Sequence, residues 1–164
     1  MIGSALALSL LLASVTETSA FSAPVGWVRA DIDAAHGAIA PHVRTIEAWV
    51  PYKGSNAKDE LYYAVGDGGI SLDAFAAEVK AALPVGAVVS EDKAVTLCDG
   101  QAGRSIAFTT STLVVEETIA IAGDIAAAAR YERTAGSGED PQARASVQGL
   151  CPQAETPPSD ERTR

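Results

Sequence analysis

The sequence predicts an α+β domain: an antiparallel sheet of about six strands with helices packed on it. Three observations carry this. Most apolar runs between residues 25 and 134 have strand length and are rich in β-branched and aromatic residues. One segment, LDAFAAEVKAAL, switches to a 3.6-residue apolar period. Turn clusters divide the chain so that strands follow strands, with no regular alternation of strand and helix.

The elements follow in order. Val25–Ala30 (VGWVRA) is a short strand anchored by Trp27. Residues 31–42 mix Ala, Gly and Pro with both histidines and read as a loop or one helical turn. Val43–Tyr52 alternates Val43, Thr45, Glu47 and Trp49 against Arg44, Ile46, Ala48 and Val50, a strand pattern. After the turn cluster KGSNAKDE, Leu61–Val65 returns as its hairpin partner. GDGGI then breaks the strand. Ser71 is an N-cap and Asp73 a first-turn carboxylate for a helix over 71–83, which ends at Pro84 and Gly86. Ala87–Ser90 and Ala94–Cys98 read as two strands flanking the polar step EDK. Gly103–Ser111 and Leu113–Ala122 are strands as well. Gly123-Asp124 is a two-residue turn. The run IAAAARYER that follows has good helix propensity. The tight turn after a long strand nevertheless demands a hairpin partner, so 125–133 is read as strand. Asp140 as N-cap and Pro141 at the first helical position start a terminal helix within Glu139–Leu150.

The ends read differently from the middle. Residues 5–15, ALALSLLLASV, are an uncharged apolar run of signal-peptide length, too short to span a bilayer. Thr18-Ser19-Ala20 offers a cleavage site, so 1–20 is read as a signal peptide and 21–151 as the single domain. The opening MIGSA lacks the usual Lys or Arg, and the competing reading is a buried N-terminal helix. Residues 152–164, PQAETPPSDERTR, are polar and Pro-rich and read as a disordered tail. The resulting localisation is periplasmic or secreted, with no stable membrane insertion after cleavage.

Charge narrows the partners. The net charge is −9, and Glu17 is the one charge within 1–20, so the remainder carries −8. Lys and Arg are scattered, with no basic stripe to neutralise phosphates, so nucleic acid is not a predicted partner. An anionic membrane surface fits equally poorly.

The residues that could carry chemistry are few. In an exported chain the two cysteines, Cys98 and Cys151, form one disulfide tying the terminal helix to the sheet. A metal site would want more ligands at close spacing, and no CxxC motif is present. His36 and His42 flank the loop AHGAIAPH. With Asp31 or Asp33 they match no standard metal spacing and read as loop histidines. Ser105 lies in no GxSxG elbow. Glu116 and Glu117 are adjacent on a strand and so point to opposite faces, which excludes an acid/base pair on one face. GDGG at 66–69 lacks the Lys-Ser/Thr of a phosphate loop and reads as turn chemistry. Arg130, Tyr131 and Arg133 have the composition of a recognition patch, against the plainer reading of a solvated edge. No catalytic residue, cofactor or metal is predicted.

The order of elements carries a resemblance. GWV near residue 26, a hairpin, SLDAFAAEVKAAL as helix, VVSEDKAVTLCDGQAGRSIAFTTS, a Gly-Asp hairpin and a terminal helix together resemble the PsbP-like α/β/α sandwich. The likeness spans most of 25–151 and lies in pattern, with no diagnostic motif. Members are mostly non-enzymatic binding or assembly modules, and paired cysteines are not general among them. The resemblance therefore implies a sheet sandwiched by helices and an exported binding or assembly module, its partner an envelope protein or a small ligand. The alternatives are a secreted hydrolase with a pocket built from His36 or His42 and nearby carboxylates, or a small-molecule or lipid binder. The binder would need an apolar cavity between helix 71–83 and the sheet.

Overall fold

The computed structural model describes residues 20–32, 39–52 and 58–153. The signal-peptide reading, except for Ala20, and all of the tail beyond Gln153 lie outside the described residues. So does His36, as does Asp33. Pro152, read as the first residue of the tail, is buried.

Among the described residues, seven strands form one sheet: β1 (Trp27–Arg29), β2 (Val43–Pro51), β3 (Glu60–Asp67), β4 (Val88–Thr96), β5 (Ala102–Thr109), β6 (Leu113–Ala122) and β7 (Ile125–Thr134). Their order is β1-β2-β3-β7-β6-β5-β4, and every neighbouring pair is antiparallel. The expected count of about six is thus corrected to seven. The expected break at Glu91-Asp92-Lys93 is absent, because β4 runs straight through it with a bulge between Val89 and Glu91. β4 is an edge strand and mostly exposed, so its polar residues face solvent instead of marking a turn.

Helix α1 (Leu72–Ala81) forms where its period predicted. The Ser71 hydroxyl accepts from the Ala74 N–H at 3.1 Å, Asp73 lies in the first turn and Lys80 in the last. Helix α2 (Pro141–Gln148) is capped by Asp140, whose carboxylate accepts from the N–H groups of Gln142 and Ala143 at 2.8 and 3.2 Å. Among the described residues, no helix is long and apolar enough to cross a membrane.

The two helices cover opposite faces. Phe75, Ala76 and Val79 of α1 pack with Tyr62, Ala64, Ile106, Ile119, Ala126 and Ala128. Ala143 and Val147 of α2, with Leu150, pack with Leu61, Tyr63, Ala120, Ala127, Ala129 and Tyr131. The alanines of β7 therefore divide alternately between the two clusters, as strand pleating requires. Their helix propensity yields to position. β7 lies at the centre of the sheet with apolar clusters on both sides, and the tyrosines of β3 fill the space its small side chains leave.

Candidate functional site

Residues opposite each other across an antiparallel ladder share a face, so the pairing lays out the α1 side of the sheet in a row. Ala48 faces Tyr62, Tyr62 faces Arg130, Arg130 faces Glu117 and Glu117 faces Ile106. Glu60 faces Glu132 beside this row. Near its centre lies a buried ion cluster. Glu117 Oε2 accepts from Arg130 Nε at 3.2 Å and Nη2 at 3.0 Å, and Arg130 Nη1 donates to Glu132 Oε1 at 3.3 Å. The guanidinium sits over the Phe108 ring, 5.8 Å from its centroid. The Tyr62 hydroxyl donates to Glu60.

Burial raises the Glu117 carboxyl above the ordinary glutamate range, opposed by the neighbouring Arg130 charge. Glu132 is raised for the same reason. Burial raises the Tyr62 phenol too, and its hydrogen bond to Glu60 adds to this. Glu117 Oε1 is buried and has no hydrogen-bond partner among the described residues.

Next to the cluster lies a cleft of about 170 Å³. Ala30, Ala48 and Val50 give it apolar walls; Asp31, Glu60 and Tyr62 bring acidic and phenolic groups. Such a cleft can receive a small group with an apolar body and a polar or positive end. Arg130 is already bonded to two carboxylates, so the cluster is suited to holding a shape rather than to moving protons.

The other candidates fall elsewhere. His42 Nε2 hydrogen-bonds the Asp67 carbonyl, and its ring lies 6.2 Å from that of Phe75. His42 borders the Val43–Gly66 end of the β2–β3 ladder, whereas the cleft lies toward the Trp49–Leu61 end. Asp31, weighed as a histidine's partner, lines that cleft. Ser105 donates to Glu91 at 2.8 Å on the β4–β5 ladder. In GDGG, Asp67 Oδ1 accepts from the Gly69 N–H at 2.8 Å, and the Gly68 N–H donates to the Asp124 carbonyl at 2.6 Å. Gly66 and Asp67 are thus the last residues of β3, paired with Ala126 and Ile125, so the strand runs two residues past the expected break and only Gly68-Gly69 leaves it toward α1.

The recognition patch is corrected. Arg130 and Tyr131 are buried, because β7 is a central strand covered on both faces. Arg130 belongs to the ion cluster. Tyr131 donates to Asp59 at 2.6 Å and accepts from the Asp140 N–H at 3.0 Å on the α2 side. Arg133 is half-buried and donates to the Ser137 carbonyl at 2.8 Å. Glu116 and Glu117 stand on opposite faces, as their adjacency on a strand requires, and a local signal identifies the partner of Glu117. Counting back from the Gly123-Asp124 turn pairs Ala122 with Ile125 and so Glu117 with Arg130. Glu60 and Tyr62 carried no such signal, since β3 meets β7 across a long stretch of chain.

Cys98 and Cys151 form the disulfide, with Cα atoms 5.5 Å apart. Cys98 begins a tight turn whose Asp99 and Gly100 have φ of 55° and 74°, the left-handed backbone that Asp-Gly turns use. The Gln101 N–H closes it on the Cys98 carbonyl at 3.1 Å. Beside the disulfide opens a second cleft, of about 350 Å³. No family model matches the chain, and no curated protein matches it.

Proposed function

We propose that the protein is an exported binding module, without catalysis of its own, that holds a small ligand or a partner's side chain in the cleft beside Tyr62. The observation that carries this reading is the cleft itself: apolar walls, with Asp31, Glu60 and Tyr62 beside them, adjoining an ion cluster in which Arg130 is already bonded to Glu117 and Glu132. The disulfide and the leader-like residues 5–15 support export. A helix on each sheet face supports the PsbP-like likeness, whose members are mostly binding or assembly modules. The lipid-binder version asked for a cavity between α1 and the sheet. There Phe75 and Val79 pack directly on the strands, and the cleft lies to one side.

The test is native mass spectrometry of the protein purified from an envelope extract, beside an Ala30→Trp variant that fills the cleft. A species retained by the wild type and lost from the folded variant supports the reading. A wild type that carries nothing, or a variant that carries the same species, counts against it. Loss of residues 1–20 in the intact mass checks the export arm.

A further inference from the structure

The turn between β4 and β5 places three donor atoms together that the binding reading does not use. The sulfurs of Cys98 and Cys151 and a carboxylate oxygen of Asp99 all lie within 4.8 Å of one another. Cys98 and Cys151 are half-buried and Asp99 is exposed, so the group is open to solvent on one side. We propose that, once the disulfide is opened, Cys98, Cys151 and Asp99 form a three-ligand site for a thiophilic divalent cation, with Zn²⁺ the best fit.

The chemistry balances with a dithiol reductant. The disulfide takes two electrons and two protons from the dithiol, which leaves as its own disulfide. The two thiols then lose their protons to solvent as the cation binds, because the thiolate is the ligand. Oxidised and metal-bound forms exclude each other, since the same two sulfurs serve both.

The local structure favours this ligand set. Thiolates select Zn²⁺ over Mg²⁺ or Ca²⁺, which prefer all-oxygen ligands. Four-coordinate zinc at sulfur and carboxylate distances of about 2.3 and 2.1 Å puts neighbouring ligand atoms roughly 3.5 Å apart. The two Cα atoms are 5.5 Å apart, close enough for both thiolates to meet one cation. The Asp99 carboxylate lies on the cysteine side of a turn in which Asp99 and Gly100 have left-handed backbone. Asn-Gly would make the same turn, but only Asp adds an anionic ligand. The adjoining cleft, bordered by Gln101, Ala122 and Pro152, leaves room for water in the fourth position.

The test uses the whole chain, reduced with a phosphine and titrated with Co²⁺ as the spectroscopic probe. The expected result is one Co²⁺ per chain, with thiolate-to-cobalt charge-transfer absorption, displaced by one equivalent of Zn²⁺. The oxidised chain should show neither. Cys98→Ser should lose the charge-transfer band. Asp99→Asn keeps both thiols and the turn, so it tests the carboxylate even if the cysteine variant fails to fold. It should weaken binding by at least about tenfold, the loss typical of even an outer-shell partner. Absence of the band in the reduced wild type, equal affinity in Asp99→Asn, or a reduced chain whose native near-ultraviolet dichroism is lost and not restored by Zn²⁺ would each overturn the proposal.

Discussion

Arg130 is a buried charge on the central strand that binds two carboxylates. Its guanidinium joins β6 to β7 through Glu117 and lies against the β5 ring of Phe108. Arg130→Met strands the Glu117 carboxylate, which is fully covered, and should cost about 3–5 kcal/mol by urea denaturation at neutral pH. Arg130→Met with Glu117→Leu should recover part of that loss, because the fully covered carboxylate is then gone and only the less buried Glu132 is left without its cation. The pH dependence follows from the same residues. Glu117 and Glu132 have raised folded values, so their charged forms weaken the fold. Stability therefore rises as pH falls from above those values toward the unfolded glutamate value of about 4.3. Asp92 acts in the opposite sense. The Arg104 guanidinium, with Lys80 behind it, holds its carboxyl down to about 2. Its contribution is present above the ordinary aspartate range and is lost as pH falls toward about 2. Urea midpoints across a pH series should show the rise flattened in Glu117→Gln and the acid fall flattened in Asp92→Asn.

At the scale of elements, residues 20–21 and Cys151 meet at one corner. The Cys151 N–H donates to the Ala20 carbonyl at 2.9 Å, Phe21 stacks on Tyr63, and the disulfide ties Cys151 to the end of β4. Cys151→Ala opens a loop of 53-residue separation and should lower stability by about 4 kcal/mol on the chain-entropy estimate. Limited proteolysis should then cut near α2 first. Gly66 fixes the other end of the β2–β3 ladder. A Cβ there would stand 2.0 Å from the His42 carbonyl oxygen, so backbone must move. Gly66→Ala should cost about 1–3 kcal/mol in thermal or urea unfolding. Local signals made these elements legible: the Ser71 and Asp140 caps, the Gly-Asp turn and the period of LDAFAAEVKAAL each act within a few residues. β4 was misread because an edge strand tolerates the same polar residues that a turn prefers.

For the whole molecule, what the sequence concealed is what distance conceals. Composition and turn spacing gave the class, α+β with an antiparallel sheet. They could not show that β7 inserts between β3 and β6. That one placement buries Arg130 and Tyr131, sets Tyr62 beside the ion cluster and creates the candidate cleft's neighbourhood. The hairpin half of the cluster, Glu117 with Arg130, was countable from the turn; the β3 half was not. The same placement governs time. Leu61 finds its partner in Tyr131, 70 residues further along the chain. β1, β2 and β3 on one side and β4, β5 and β6 on the other cannot join until β7 is available to bridge them. Such non-local closure folds slowly, because loop entropy must be met before the pairing repays it. A nascent chain would therefore hold its two half-sheets apart, each with an unpaired inner edge, until β7 had emerged to close both.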